Sequence, residues 1–412
     1  MRMKKLITNT SHIRGTVKIS GSKNASLPII VAALLSNKRV ILKNVPNISD
    51  VMALLSIYAK LKIKYHYKKN YLVIYPQFNY NELVFDEVKS FRASYYLMGL
   101  FLGKFKRVKI FTPGGCKIGS RPIDFHLEGF KLAGCKVIDT GKVIEISAES
   151  LKPFCYSLPK KSLGASINLT LLALNIKGTT VIRNVSTEPE LEDFIGFVNK
   201  LGYHIVKHQD ELIIEGKLLK EKKIKYHVMP DRIEAFTFIS LGIYSEHLKI
   251  KKINLNHLTV PLKTLIRAGL NYRLLKNGII IYRSKLKPLH FTSGDYPLIS
   301  TDEMPLLYPI AMRIKGDNYF KETIFEKRFM VCNELSKTGG KLYYNNDLLV
   351  IKGYELLRGA AFYPMDLRAA ASLLIEAIIN GNSTLYNLNQ LERGYANIYA
   401  KLKKIGVNFR IE

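Results

Sequence analysis

One pattern recurs six times along the chain, and an internal repeat of that kind restricts the possible architecture more than any other feature. Each copy opens on a polar or charged residue and continues through an apolar run. A polar turn, a β-branched strand and an amphipathic stretch ending in a small-residue turn follow. The openers fall at Lys23-Asn24, Arg92-Ala93, Ser162-Leu163-Gly164, Asp231-Arg232, Thr301-Asp302 and Asp366-Leu367-Arg368. The apolar runs cover 29–35, 95–102, 169–174, 236–241, 306–312 and 369–379, and strands are expected at 40–42, 108–111, 180–182 and 384–386. Closing turns at Lys62, Gly134, Gly202, Gly269, Gly339 and Gly406 set a period of roughly 67 to 72 residues, too long for one layer of a stacked solenoid. Helix and strand signals alternating at that period predict an α/β fold of repeated βαβ-type units. Six units divide into two lobes of three, and a cleft between lobes is the default place for a ligand.

Each opener puts polar side chains at the first turn of an apolar helix, where backbone amides favour anions. Ordinary N-capping is the competing use of Asp231, Asp302 and Asp366.

The most reactive-looking stretch is Pro113-Gly114-Gly115-Cys116-Lys117-Ile118-Gly119-Ser120-Arg121-Pro122. Its glycines allow tight bending or close approach to a ligand, while Lys117 and Arg121 would lower the thiol pKa. Ile123, Leu127 and Phe130 then recur at helical spacing, so Arg121 is expected beside a helix start. A thiol, two cations and a helix N-terminus on one loop point to chemistry on a phosphorylated or carboxylated substrate. The other cysteines, Cys135, Cys155 and Cys332, lie in or beside apolar stretches and read as inert small hydrophobes.

Composition narrows the function class. With 412 residues, 47% hydrophobic and 23% charged, the chain has the balance of a soluble globular protein of two or three domains. Four unevenly spaced cysteines and no C-x-x-C pair argue against a disulfide framework or a zinc site. No apolar run reaches the length of a membrane helix, and the basic start lacks the apolar core of a secretory signal, so a cytoplasmic protein is expected. The net charge of +30 would attract polyanions. Its lysines are dispersed in short pairs without a stacking motif, so nucleic acid is not expected as a partner. The oligomeric state stays open, a monomer being compatible with the pattern.

Several motifs occur together and in order: Ile19-Ser20-Gly21-Ser22-Lys23-Asn24-Ala25, the cysteine loop, Pro230-Asp231-Arg232-Ile233-Glu234, Ser300-Thr301-Asp302, Glu322-Thr323-Ile324-Phe325-Glu326 and Arg393-Gly394-Tyr395. In these the chain resembles the UDP-N-acetylglucosamine 1-carboxyvinyltransferase family, enolpyruvyl transferases that open peptidoglycan synthesis. The resemblance runs from about residue 5 to residue 411. It implies a two-lobed inside-out α/β barrel, with lobes at 22–229 and at 1–21 plus 230–412 and the active site in the cleft. It also implies transfer of enolpyruvyl from phosphoenolpyruvate to the 3-hydroxyl of UDP-N-acetylglucosamine, with release of phosphate and without metal or cofactor.

By the same resemblance Cys116 is the proton donor and Asp302 the acceptor of the sugar hydroxyl proton. Lys23, Asn24, Arg121 and Arg393, assisted by Arg368, would hold phosphate and carboxylate. Arg92, Arg121, Pro122, Ile123, Asp124, Phe125, Lys160, Lys161, Ser162, Leu163, Asp302 and Ile324 would line the nucleotide-sugar site. The alternatives are 3-phosphoshikimate 1-carboxyvinyltransferase, whose chemistry employs no loop cysteine, and a non-catalytic nucleotide-sugar binder on the same fold.

Overall fold

The computed structural model describes residues 4–78, 82–84, 86–90, 92–112, 123–217, 223–353 and 356–412. Cys116, Arg121 and Pro122 of the cysteine loop therefore lie outside the described residues. The described chain forms two compact units, one of residues 4–20 with Pro230–Glu412 and the other of 21–112 with 123–229.

Each unit contains three four-stranded sheets, and all six follow one plan. A central strand pairs in parallel with an edge strand on one side and antiparallel on the other with a strand that is half of a hairpin in five sheets and the separate strand Leu6–Thr8 in the sixth. In the second unit the central strands are Val40–Lys43, Arg107–Phe111 and Gly178–Arg183. In the first they are His247–Lys251, Asp317–Lys321 and Ser383–Leu385. The repeat read from the sequence is thus the repeat of the fold. All six closing turns have positive φ, from 57° at Lys62 to 111° at Gly269, which explains why five of the six are glycine.

The opening helices are apolar on all sides because they are enclosed on all sides. Every position of Arg232–Gly242 is buried, as is every position from Ala165 to Ala173 in the helix Leu163–Ala173. The helix that follows each central strand is amphipathic instead. Pro189–Leu201 has proline in its first turn and ends on Gly202 at φ 108°, and it buries one stripe including Leu191, Phe194, Val198 and Leu201. The sheets bury one face and expose the other, as the alternating burial of Tyr71–Tyr75 shows. The fifth opening helix departs from expectation. The run 306–312 divides into a 3-10 turn, Met304–Leu307, and a short helix, Tyr308–Ala311. Pro305 and Pro309 remove two amide donors there, which weakens a continuous helix.

Two connections break the sequence order of the sheets. Arg14–Lys18, which precedes the first opening helix, pairs with His247–Lys251 in the first unit. Ile224–His227, which precedes the fourth, pairs with Val40–Lys43 in the second unit. The chain start Leu6–Thr8 completes the sixth sheet between Ser383–Leu385 and Phe409–Ile411.

Both crossings are tied down within their own unit. In the first, the Asp231 amide donates to the Ser20 carbonyl at 2.9 Å, and Lys401 binds both Ser20 Oγ and Glu234. Burial raises the Glu234 carboxyl pKa and the Lys401 charge opposes it, leaving it above its ordinary value. In the second, the Ser22 amide donates to the Met229 carbonyl at 2.8 Å. A Cβ at Gly21 would fall 1.6 Å from the Asn44 carbonyl oxygen, so only glycine fits that passage.

Candidate active site

In the first unit the sequence between residues 300 and 303 builds a carboxylate held by arginines. The Ser300 amide donates to Glu303 Oε2 at 2.9 Å, and the Glu303 amide donates to Ser300 Oγ at 3.2 Å. This reciprocal pair satisfies the turn leading into Met304–Leu307. Asp302 is left for other partners. Arg328 Nη2 donates to its Oδ1 and Arg368 Nη2 to its Oδ2, each at 3.0 Å. The Arg328 and Arg368 side chains are 2% and 7% exposed, against 29% for Asp302. The carboxylate is therefore a partly open group on a buried cationic base.

The surrounding bonds fix both arginines. Arg328 Nε donates to Thr301 Oγ1 at 2.9 Å, and Thr301 donates onward to Glu322 Oε2 at 3.0 Å. The other Glu322 oxygen accepts the amides of Ile324 and Phe325 at 2.8 and 3.2 Å, which positions the exposed Ile324. Arg328 Nη1 also lies 3.8 Å from Asp366 Oδ1. Burial works against the Arg368 charge, but Asp302, Tyr395 and Asp231 outweigh it and hold its pKa above the ordinary value. Arg232 and Glu303 add a second ion pair at 2.9 Å, with side chains 2% and 1% exposed.

The competing capping use applies to two of the three aspartates. Asp231 accepts the amides of Ile233 and Glu234, and Asp366 those of Arg368 and Ala369. Asp302 is not the N-cap of Met304–Leu307, which is Glu303, and its carboxylate meets Arg328 and Arg368. Arg393 ends the short helix Asn389–Glu392, half-buried, with Nη1 3.4 Å from Gln390 Oε1.

In the second unit Ser22 caps the helix Lys23–Ala32, accepting the Ala25 amide at 3.3 Å. Lys23 Nζ stands 2.6 Å from Asp50 Oδ2, with both side chains largely buried, and Asn24 is half-buried beside it in sequence. Ser162 likewise caps Leu163–Ala173 through the Ala165 amide at 3.2 Å. Lys161 reaches Asp210 at 3.0 Å, and Lys160 is exposed.

Tyr95 brings together Arg92, the start of the helix Asp124–Leu132 and Gly164. The Arg92 guanidinium lies 5.6 Å from its ring centroid, and the His126 ring packs edge-on at 4.9 Å. A Cβ at Gly164 would come within 2.3 Å of its hydroxyl. His126 Nδ1 faces Asn168 Nδ2 at 2.9 Å, and Asn168 Oδ1 accepts the Gly99 amide at 2.8 Å. Burial, and then the Arg92 charge, push the His126 pKa down to about 3, so this ring is neutral. Ile123, Asp124 and Phe125 lead into the same helix, with Asp124 exposed and in its first turn.

Sequence reasoning missed Arg328, Thr301 and Asp50 as partners of the predicted groups. Arg328 follows the motif 322–326 by two residues, but its bond to Asp302 spans 26 positions. Of the three cysteines read as inert small hydrophobes, Cys135 and Cys332 are buried, whereas Cys155 is exposed. It sits on an edge strand with its sulfur 3.0 Å from Arg183 Nη1. Among the described residues no group of three or more His, Cys, Asp or Glu could hold a metal ion. No described helix is long and apolar enough to cross a membrane.

The pattern of the EPSP synthase (3-phosphoshikimate 1-carboxyvinyltransferase) family matches residues 7–402, and the chain belongs to that family. Within it, the UDP-N-acetylglucosamine 1-carboxyvinyltransferase of Kosmotoga olearia is 35% identical over 405 residues, covering 96% of both chains. That of Pelagibacter ubique is 34% identical over 415 residues and covers 99% of both. Among solved structures, the enolpyruvyl transferase NikO from Streptomyces tendae aligns with a TM-score of 0.89 at 23% identity, over 99% of this chain and 98% of that one. An EPSP synthase from Acinetobacter baumannii aligns at 0.77 with 16% identity over the whole of both chains. These two likenesses establish the shared fold.

Proposed function

We propose that this chain transfers the enolpyruvyl group of phosphoenolpyruvate to the 3-hydroxyl of UDP-N-acetylglucosamine and releases phosphate, the committing step of peptidoglycan synthesis. The observation that carries the reading is full-length likeness to relatives bearing that activity in their names. Asp302 supports it, being held in place yet partly open.

The chemistry assigns roles to residue types. Attack of the sugar oxygen on carbon 2 requires loss of the hydroxyl proton and gain of a proton at carbon 3. Asp302 takes the first and Cys116 supplies the second; acid–base help of this kind contributes about 10² to 10⁴ in rate. Phosphate then leaves carbon 2, and carbon 3 returns a proton to restore the vinyl group. Cys116 is also the group that would form a covalent adduct. Lys23, Asn24, Arg121, Arg393 and Arg368 bind phosphate and carboxylate, where preorganised cations offset the charge that develops on departure. Arg92, residues 121–125, residues 160–163, Asp302 and Ile324 receive the nucleotide sugar.

Cys116 separates this reading from 3-phosphoshikimate as acceptor. The test is a phosphate-release assay with phosphoenolpyruvate and each acceptor in turn. Phosphate with the nucleotide sugar alone is the expected result. Phosphate with shikimate 3-phosphate alone would overturn it, and nucleotide-sugar binding without any phosphate would point to a non-catalytic binder.

A further inference from the structure

The three sheets of the second unit share one plan but treat surface charge differently. In the second sheet Lys109 stands directly opposite Glu145 with Nζ 2.8 Å from its carboxylate. In the third, Arg183 stands opposite Glu211 at 2.6 Å, and His204 opposite Glu215 at 3.1 Å. The first sheet has no such pairs. Its strands Ile224–His227, Val40–Lys43, Tyr71–Tyr75 and Lys64–Lys68 contain no acidic residue. On its outer face Lys43 stands opposite Tyr71, Tyr71 opposite Lys68, and Tyr75 opposite Lys64. Lys225, His227 and His66 complete the face.

We propose that this outer face binds single-stranded nucleic acid, its lysines taking phosphates and its tyrosines stacking on bases. Tyr71 is 49% exposed and Tyr75 43%, so both rings are open to a base. Lys43 Nζ sits 5.5 Å from the Tyr71 ring centroid, placing cation and ring in one platform. Lys43 stands opposite His227 and diagonal to Lys225, and its proximity lowers the Lys225 pKa. Two ammonium groups so placed, with no carboxylate on their strands, are relieved by a bridging anion. Alternating cations and aromatic rings on an open sheet face suit a strand whose bases are unstacked. A bilayer fits less well, because the aliphatic positions of this face, Ile41 and Val73, are half-buried. In sequence these lysines looked dispersed; strand register is what gathers them.

The experiment measures fluorescence anisotropy of a labelled single-stranded RNA dodecamer and of the same sequence as a duplex, at two salt concentrations. Three proteins are compared: the full chain, the face variant Lys43→Thr/Lys64→Thr/Lys68→Thr, and the charge-matched variant Arg107→Thr/Lys109→Thr/Lys136→Thr on the second sheet. Turnover and thermal midpoint report folding of each. The expected result is tighter binding of single strand than duplex and about a tenfold or greater loss in the face variant alone, with a shallower salt slope. Tyr71→Ala should weaken binding by a further factor of about five or more. Equal losses in the two triple variants would overturn the proposal, since the charge would then act diffusely. So would equal affinity for duplex, no effect of Tyr71→Ala, or binding confined to anionic lipid vesicles.

Discussion

The fifth and sixth repeats of the first unit open on the same residue type and use it differently. In the sixth, Asp366 accepts two amides of its own helix and serves as a cap. In the fifth, Ser300 and Glu303 close the turn between themselves, and Asp302 turns to Arg328 and Arg368 instead. The helix start is satisfied in both cases. Delegating the cap to neighbours three residues apart leaves the Asp302 carboxylate to the two arginines. A repeat fold can thus turn one opening carboxylate to new partners without giving up an element of the repeat.

The sharpest way to break this contrast is to neutralise the freed carboxylate. Asp302→Asn should lower turnover by about 10² to 10⁴ at a temperature where the variant is fully folded. Steady-state phosphate release measures it, and a loss below tenfold would return Asp302 to a structural role. Arg328→Met tests the base on which that carboxylate rests. Hydrogen bonds to charged groups contribute about 1.5–3 kcal/mol, and Arg328 bonds Asp302 and Thr301 together. A large fall in the denaturant midpoint is expected. An unchanged midpoint would mean that the arginine is not holding the cluster.

Much of this was legible in the sequence, for identifiable reasons. The repeat and its six closing turns could be read because positive φ leaves a glycine signature and enclosed helices leave an unbroken apolar run. The difference between Asp302 and Asp366 could not. Both precede apolar runs, and capping by Ser300 and Glu303 becomes visible only when amide directions are known. Arg328 and Asp50 were missed because their partners are distant in sequence and no periodicity links them. The exposure of Cys155 could not be read because an edge strand beside apolar residues still exposes alternate side chains.

The second unit offers an opposite case: where the Asp302 cluster retains charge, the His126 cluster excludes it. Burial, with Arg92 adding to it, lowers the His126 pKa from 6.5 to about 3. Between those values the unfolded chain binds a proton that the folded chain refuses. Stability from this group is therefore complete above about pH 6.5 and is lost as the pH falls, by up to about 1.4 kcal/mol per pH unit. Urea unfolding of the parent and His126→Gln at pH 7, 6 and 5 reads the difference. The gap between the two should narrow steadily with acidification, and a constant gap would remove His126 as its cause.

The smallest expected effects return to the two repeat openings and separate cap from carboxylate. Asparagine caps a helix about as well as aspartate, whereas alanine costs about 1 kcal/mol. For Asp366, then, Asn should keep the cap and lose only the 3.8 Å approach to Arg328, so it should lower the thermal midpoint less than Ala, which lowers it by a few degrees. For the fifth repeat the cap lies elsewhere, so Ser300→Ala should lower the midpoint by a similar amount although Ser300 touches neither Arg328 nor Arg368. Its turnover is the informative readout. If the Ser300–Glu303 pair is what frees Asp302, losing the Ser300 hydroxyl leaves the Glu303 amide only the Ser300 carbonyl at 3.0 Å, the carboxylate competes for that amide, and turnover falls by more than the stability change accounts for. A Ser300→Ala enzyme with reduced midpoint and undiminished turnover would show that the two arginines alone hold Asp302 in place.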